Sequence, residues 1–449
     1  MSESLKEEDA APEQVKRAEE TIRQDFRRTL DEFLRDRDIP RPQPADGDAI
    51  YALADAAIRR YHAATARDAA LPRLSRPQYM EVRQRLYILH GPLGPLGDLL
   101  AIEGVEDIHV NGTRGGYLVF SDHREDLPQL FESEEELVEL VRYYAEQAGK
   151  HFDAASPMVT VTLRDGSRLN AVLPPVSKPL VLTIRKQQLR RFLSLHDLIR
   201  EGTLPEQAQA LLEAAVVARF NIVISGATGS GKTTLARVLA LLIPDGQRTC
   251  VLETETELWL HELRDKDCFS FEAREANIEG AGRVTLRDLF QFGALRQRPE
   301  RIIVGEVRGE EAMDMLHAMT SGHDGSLTTV HASGPRVALN RLEALALMSD
   351  AKLAPQVLRQ MVGSGIDLII HLGSYRRPGG AVRRLASMAF IDQNPEDPLW
   401  TPIVQEICHY RPLDDEWDWE ADAISYAPRK ILDKLQMAGL EPSRLRQGG

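Results

Sequence analysis

One stretch constrains this chain more than any other. Asn221, Ile222, Val223, Ile224 and Ser225 form a short apolar run. Gly226, Ala227, Thr228, Gly229, Ser230, Gly231, Lys232, Thr233 and Thr234 follow it, and an amphipathic run continues over 235–242. Strand, glycine-rich turn and helix start are the context that a G-x-x-x-x-G-K-[ST] match requires. Gly226, Gly229 and Gly231 permit positive φ and close approach of the backbone to an anion. The loop N–H groups then converge at a helix N-terminus, where the dipole adds attraction. Lys232 supplies a mobile charge for β- and γ-phosphates, and Thr233 a hydroxyl for Mg²⁺. The expected ligands of residues 226–234 are therefore ATP, or another nucleoside triphosphate, and Mg²⁺.

What the chain does with a nucleotide depends on its other strands. Residues 249–253 read as a second buried strand, whose end runs Glu253, Thr254, Glu255, Thr256, Glu257, Leu258. Ligands of open parallel sheets sit beyond the carboxyl ends of strands, so Glu253 is placed to activate water. Glu255 and Glu257 are alternatives, and a solvated acidic loop is the plainer reading. Arg298, Pro299 and Glu300 turn the chain into Arg301, Ile302, Ile303, Val304, Gly305 and Glu306. That is an apolar strand expected beside the phosphate-loop strand, with the Glu306 carboxylate at its tip near Mg²⁺. The segment 322–331 then carries His323 and His331 around a strand at 326–331. A metal site would need a third ligand at suitable spacing, which is missing. A sensor of the terminal phosphate fits the pair better.

At 449 residues the chain is too long for one core. The expected division is 1–47, a tail and helix with a proline linker; 48–94, helical; 95–187, a smaller α+β domain; 188–203, a linker; 204–395, an α/β nucleotide-binding domain; and 396–449, a C-terminal extension. In residues 13–37, Val15, Ile22, Phe26, Leu30 and Phe33 share one helical stripe. It serves either internal packing, the preferred reading, or a partner. Pro40, Pro42 and Pro44 break the chain after it. Further helices are expected within 48–92, a turn-rich hinge over 91–97, strands at 108–112 and 117–120, and a helix over 134–148. Val159 to Val161 and Leu169 to Leu173 flank Asp165-Gly166, a tight hairpin signal. A strand over 180–184 ends at Arg185. Arg164, Arg168 and Arg185 are either exposed strand charge or a positive cluster for phosphates. Beyond 393 the pattern fades into an acidic, tryptophan-bearing run, read as a partly packed loop, and a terminal helix over 429–438.

Composition narrows the function classes. A net charge of −13 argues against a general grip on nucleic acid, and direct nucleic-acid binding is not expected. Cys250, Cys268 and Cys408 are scattered, with no C-x-x-C pair. That suggests a reduced, cytoplasmic protein. No apolar run reaches the length of a membrane span, and the N-terminus lacks the apolar core of a signal peptide. Any membrane association is expected to be peripheral or through partners.

Residues 226–233, 253–258, 298–309 and 322–331 resemble, in order, the Walker A, Asp box, Walker B and His box of the type II/IV secretion ATPase superfamily. Residues 108–112, 163–171 and 182–186 resemble the N-terminal domain of its CpaF-like, tight-adherence pilus branch. The resemblance covers about residues 95–390. It implies a RecA-like P-loop ATPase domain preceded by the α+β domain and N-terminal helices. By the same resemblance Lys232 and Thr233 bind phosphate and Mg²⁺, Glu253 is the general base, and Glu306 holds Mg²⁺ or its water. His323 and His331 sense phosphate, and Arg164, Arg168 and Arg185 close on the nucleotide. It further implies a homo-hexamer at the inner membrane, working on pilus or secretion platform proteins. One departure stands out: the family's Glu-Asp pair is Glu253-Thr254 here. Two other functions share these motifs, a conjugative DNA-transfer ATPase and a regulatory nucleotide-binding subunit with weak hydrolysis.

Overall fold

The computed structural model describes residues 12–37, 42, 46–65, 71–90, 95–120, 123–131, 133–163, 165–187, 194–264, 267–274, 276, 281–377, 380–420 and 422–442. Arg164 and most of the proline linker lie outside them. The chain parts into two compact units, Met1–Arg190 and Arg191–Gly449.

The first unit opens with three helices, Pro12–Asp36, Gly47–Thr65 and Arg76–His90. Ala18, Ile22, Phe26 and Leu30 bury against Ile50, Ala54, Ile58, Val82 and Leu86. The apolar stripe of the first helix is thus consumed by its own small core. The expected hinge at 91–97 is a helix in its second half, Pro95–Ala101; proline is tolerated in a first turn, where its missing N–H has no partner to lose.

Six antiparallel strands follow: β1 (Val105–Asn111), β2 (Gly116–Phe120), β3 (Arg124–Leu127), β4 (Met158–Thr162), β5 (Arg168–Val172) and β6 (Val181–Arg185), in the order β3-β2-β1-β6-β5-β4. The helix Glu134–Gln147, capped by Ser133, buries Leu137, Val141 and Ala145 in the core with Ile108, Val110, Leu169, Leu182 and Ile184. The β4–β5 hairpin is real, but its register pairs Thr162 with Arg168, so the connection is wider than a tight Asp-Gly turn. The Asp165 carboxylate is buried there and accepts both N–H and O–H of Ser167. It serves as an internal brace for the loop.

The second unit holds nine strands: β7 (Ile222–Gly226), β8 (Thr249–Glu253), β9 (Cys268–Glu272), β10 (Arg301–Val304), β11 (Leu327–Val330), β12 (Leu368–Arg377), β13 (Gly380–Asp392), β14 (Ile403–Arg411) and β15 (Glu416–Trp419). Their order is β15-β14-β13-β12-β7-β11-β10-β8-β9. β12, β7, β11, β10, β8 and β9 run parallel, and β13, β14 and β15 are added antiparallel. β7, β8, β10 and β11 are buried on both faces, as their apolar runs demand. Ile222 and Ile224 enter one core with the helices Gln207–Val217 and Lys232–Leu241. Val223 enters the other, with Glu311–Thr320, Pro335–Ala346 and Pro355–Gly365. Helices thus cover both faces of the sheet, and the α/β class is the one expected from the sequence.

Three expectations need correction. β10 does not lie beside β7; β11 pairs with both and separates them. The expected linker at 188–203 contains the helix Leu195–Arg200, closed by a capping box of Ser194 and Asp197. The tail beyond 393 is no loose loop, since β14 and β15 continue the sheet. The C-terminal helix Arg429–Met437 also buries Ile431 and Leu435 in the first core of this unit.

Asn221 explains how the three strand starts stay aligned. Its side chain donates to Met319 O and Gly365 O and accepts from the N–H groups of Gly325 and Ser326. Its own N–H donates to Asp367. All four side-chain hydrogen-bonding positions are used, which is what a fully buried amide requires.

Candidate nucleotide site

β7 delivers the chain to the loop at the carboxyl edge of the sheet. Gly226, Gly229 and Gly231 all have positive φ, at 157°, 75° and 96°. A Cβ on Gly226 would stand 2.6 Å from Leu372 O of the neighbouring β12, so only glycine passes there. Ala227, Thr228 and Gly229 are exposed, while Ser230 and Lys232 are buried. Gly231 caps the helix Lys232–Leu241 in the left-handed conformation. The first N–H groups of that helix open toward the loop, which is the geometry of an anion cradle.

The acids arrive from neighbouring strands. Glu253 is the last residue of β8, Glu306 follows β10 and His331 follows β11. These three therefore share the carboxyl edge with the loop. Lys232 Nζ donates to Ala227 O at 3.0 Å and lies 3.5 Å from His331 Nδ1. On the other side of the ring, His331 Nε2 is 2.9 Å from Glu306 Oε1. Arg308 Nη2 holds Glu306 Oε2 at 2.7 Å. A chain of contacts thus runs Lys232, His331, Glu306, Arg308. Burial pushes the Lys232 pKa down, against the pull of Glu306 and Glu257. Burial and then the Lys232 charge push the His331 pKa down, which favours the neutral imidazole.

Glu253 is held differently. Its Oε1 accepts from Glu257 N and Leu258 N, both at 2.9 Å. Its Oε2 is buried without a hydrogen-bond partner. Burial, the largest cause, raises the carboxyl pKa to about 7 despite the two backbone donors. Those same donors turn the loop so that Glu257 Oε2 accepts from Thr233 Oγ1 at 3.2 Å. Glu257, read in the sequence only as an alternative, is the acid that touches the expected metal hydroxyl. Arg237 locks this arrangement. It lies one turn beyond Thr233 and donates to Glu257 O at 2.6 Å and Leu258 O at 3.1 Å. Sequence reading missed Arg237, because a cation in an apolar helix run gives no sign of whose carbonyls it will meet. His371, also missed, lies with Nδ1 3.0 Å from Ser225 Oγ on the β12 side of the loop strand.

The structure does not bring every expected residue here. His323 precedes β11 whereas His331 follows it, so they sit at opposite edges of the sheet. Four strand residues at about 3.3 Å each separate the two edges by roughly 13 Å. His323 instead caps the turn before β11, its N–H on Ala318 O and its carbonyl accepting from Ser326 Oγ. Arg168 and Arg185 belong to the first unit, where they are cross-strand partners on β5 and β6. Arg185 Nε pairs with Asp107 at 2.9 Å. Among the described residues no cluster of three His, Cys, Asp or Glu could hold a metal ion alone. The oxygen donors at hand, the Thr233 hydroxyl with Glu257 and Glu306, suit Mg²⁺ that also takes substrate phosphates. The orphaned Glu253 Oε2 is a further buried acceptor in the same place.

The chain is similar to several known proteins. A family model described as Type II/IV secretion system protein matches residues 94–409. A Mycobacterium tuberculosis relative named for conjugal transfer is 34% identical over 337 residues, spanning 70% of this chain and 89% of its own. The type IV secretion system protein PtlH of Bordetella pertussis is 33% identical over 53% of this chain and 76% of its own. Among solved structures, the VirB11 ATPase of the Brucella suis type IV secretion system aligns over 70% of this chain and 98% of its own, at 24% identity and a TM-score of 0.35. With the family match extending over the phosphate loop, both acid-tipped strands and the β11 histidine, the chain belongs to the Type II/IV secretion system protein family.

Proposed function

We propose that this chain is an ATPase in which hydrolysis drives rotation of one domain against the other, powering pilus assembly or protein secretion through an inner-membrane platform. The observation that carries the reading is the convergence of Lys232, Thr233, Glu253, Glu257, Glu306 and His331 on one edge of one sheet. Loop N–H groups and Lys232 bind the phosphates, and Mg²⁺, when bound, neutralises phosphate charge. Thr233, Glu257 and Glu306 hold that ion or its water. Glu253, with an unpartnered buried Oε2 and a pKa near neutrality, takes the proton of the attacking water. His331, set between Lys232 and Glu306, reports loss of the terminal phosphate. The roles toward the nucleotide given to Arg164, Arg168 and Arg185 are carried over from the motif resemblance alone.

The CpaF-like branch, the homo-hexamer, the peripheral inner-membrane location and the finer domain division are part of this proposal and rest on the motif resemblance. Phosphate release by the wild type, Lys232→Ala and Glu306→Gln tests the enzyme. Both variants are expected to lose nearly all turnover, and equal rates in the three would remove the claim. A second reading, conjugative DNA transfer, is favoured by the Mycobacterium tuberculosis relative's name. DNA-stimulated turnover with salt-dependent DNA binding would select it over the first.

A further inference from the structure

The phosphate loop is touched from outside by one cation of the sheet extension. β12 and β13 form a long hairpin whose far end gathers Arg376, Arg377, Arg383 and Arg384. Arg383 Nε donates to Gly229 O at 2.9 Å. A Cβ on Gly231 would stand 3.7 Å from Arg383 Cδ, so the side chain lies along the loop as well as bonding to it. The Gly229–Ser230 peptide is planar and trans, and its N–H and C=O point to opposite sides. Fixing the Gly229 carbonyl on Arg383 therefore fixes where the Ser230 N–H points. That N–H donates to Ala227 O at 3.3 Å within the loop, and it is among the donors an incoming phosphate would draw into line.

Arg384, the next residue, is held elsewhere. Its Nε and Nη2 reach the two oxygens of Asp415 at 3.0 and 3.3 Å, a bidentate pair. Asp415 also takes Arg377 at 3.2 Å and the Tyr410 hydroxyl. It stands at φ 58° in the turn between β14 and β15, past the end of the family match at residue 409. Leu385 is pinned on both sides, its N–H on Thr203 O and its carbonyl on Trp417 Nε1, each at 2.7 Å. A register shift at His371/Leu372 lies in the same part of the hairpin, and such bulges re-aim the side chains beyond them.

We propose that Arg383 is a positioning residue for nucleotide binding, and that the β14–β15 turn holds it on the phosphate loop through Asp415 and Arg384. The ligand is a nucleoside triphosphate, so the inference rests on the function proposed above. It makes the C-terminal extension part of the nucleotide site and gives a partner that bends this hairpin a handle on affinity.

The test uses the full chain, with Arg383→Ala, Arg383→Lys, Asp415→Asn and the double variant Arg383→Ala/Asp415→Asn. Fluorescent ATP titration gives Kd, steady-state kinetics give KM and kcat, and amide exchange of residues 226–231 is followed without nucleotide. Arg383→Ala is expected to raise Kd about tenfold, as loss of one charge-assisted bond to the backbone implies, and to speed loop exchange. Arg383→Lys is intermediate. Asp415→Asn raises Kd less, the effect on KM exceeds that on kcat, and the double variant binds no worse than Arg383→Ala. Wild-type Kd and exchange in Arg383→Ala would overturn the proposal while leaving the ATPase reading intact. Additive losses in the double variant would overturn the route through Asp415. A wild-type chain that binds no ATP would remove both readings. If Arg383→Ala does not fold, Arg383→Lys and Asp415→Asn decide, and wild-type Kd in both overturns the proposal.

Discussion

Gly305 leaves open the space that the Glu253 side chain fills. A Cβ on Gly305 would stand 2.9 Å from Glu253 Cγ, where β10 ends beside β8. The missing side chain lets a carboxylate sit buried between two strand tips with both Glu257 N and Leu258 N on one oxygen. Gly305→Ala is therefore expected to push Glu253 out of its seat at a cost of about 1–3 kcal/mol, the usual penalty for overpacking. Urea unfolding reads the loss of stability and phosphate release the loss of turnover. Full stability and turnover in Gly305→Ala would show that Glu253 does not need this seat.

The Glu253 carboxyl gives a pH signature with opposite signs for stability and activity. Its folded pKa, about 7, is above the ordinary value of 4.5, so between these values the folded chain holds a proton that the unfolded chain has released. Stability from this group is greatest below pH 4.5 and falls as pH rises toward 7, by about 3 kcal/mol across the window. A general base must be deprotonated, so turnover should rise over that same upper range. Glu253→Gln should flatten both slopes. An activity profile that keeps its rise near pH 7 in Glu253→Gln would assign the base to another residue.

How much of this could be read from the chain follows from what each feature depends on. The phosphate loop was legible because its strand, glycines and helix start are contiguous, and local order alone positions Lys232 and Thr233. β8 and β10 were legible as apolar runs ending in acids, but their places in the sheet were not. Strand order depends on crossovers, and the expectation that β10 adjoins β7 failed because β11, later in sequence, inserts between them. His323 was misplaced for a related reason, since eight residues around a strand span both edges of a sheet. β15 escaped because Asp414 to Glu420 alternates aromatic and acidic residues at an exposed sheet edge, a pattern shared with solvated loops. Arg237 and Arg383 act on main-chain carbonyls far away in sequence, and no residue pattern announces such an acceptor.

The edge of the sheet opposite the nucleotide predicts a stability effect without a catalytic one. Asp367 is fully buried and accepts from Lys434 Nζ at 2.6 Å and Asn221 N at 2.8 Å, with Lys430 at 3.6 Å. Asp367→Ala strands the N–H that starts β7 and takes the buried carboxylate from Lys430 and Lys434, which keep Gly363 O, Ile366 O and Asp324 as acceptors. Removing one partner of a buried ion pair costs about 3–5 kcal/mol. Asp367→Asn keeps an acceptor for Asn221 and should lose less. Denaturant titration of both variants against the wild type checks the order. Equal stability of all three would mean that the C-terminal helix is not tied to the sheet by charge.

Arg237 and Glu257 predict a defect in metal use that can be told apart from one in nucleotide binding. The Arg237 guanidinium is buried, its pKa pushed down to about 10 by that burial, and it holds the Glu257 and Leu258 carbonyls. Arg237 donates to main-chain carbonyls of the loop that presents Glu257 to Thr233, and its charge also interacts with the Glu253 and Glu257 carboxylates. Arg237→Met fills similar volume and deletes these bonds, freeing Glu257 from Thr233 while leaving Lys232 and the loop glycines in place. Turnover at low Mg²⁺ should fall about tenfold or more, as loss of a charge-assisted bond implies, and recover in part at high Mg²⁺. Glu257→Gln should show the same shift in Mg²⁺ dependence, because both changes weaken one contact. The two substitutions together should then be little worse than either alone, since residues acting through one interaction are not additive. Mg²⁺ titration of phosphate release in the single and double variants measures this. Unshifted Mg²⁺ curves would sink the link from Arg237 to the metal and leave it as a brace for the helix Lys232–Leu241.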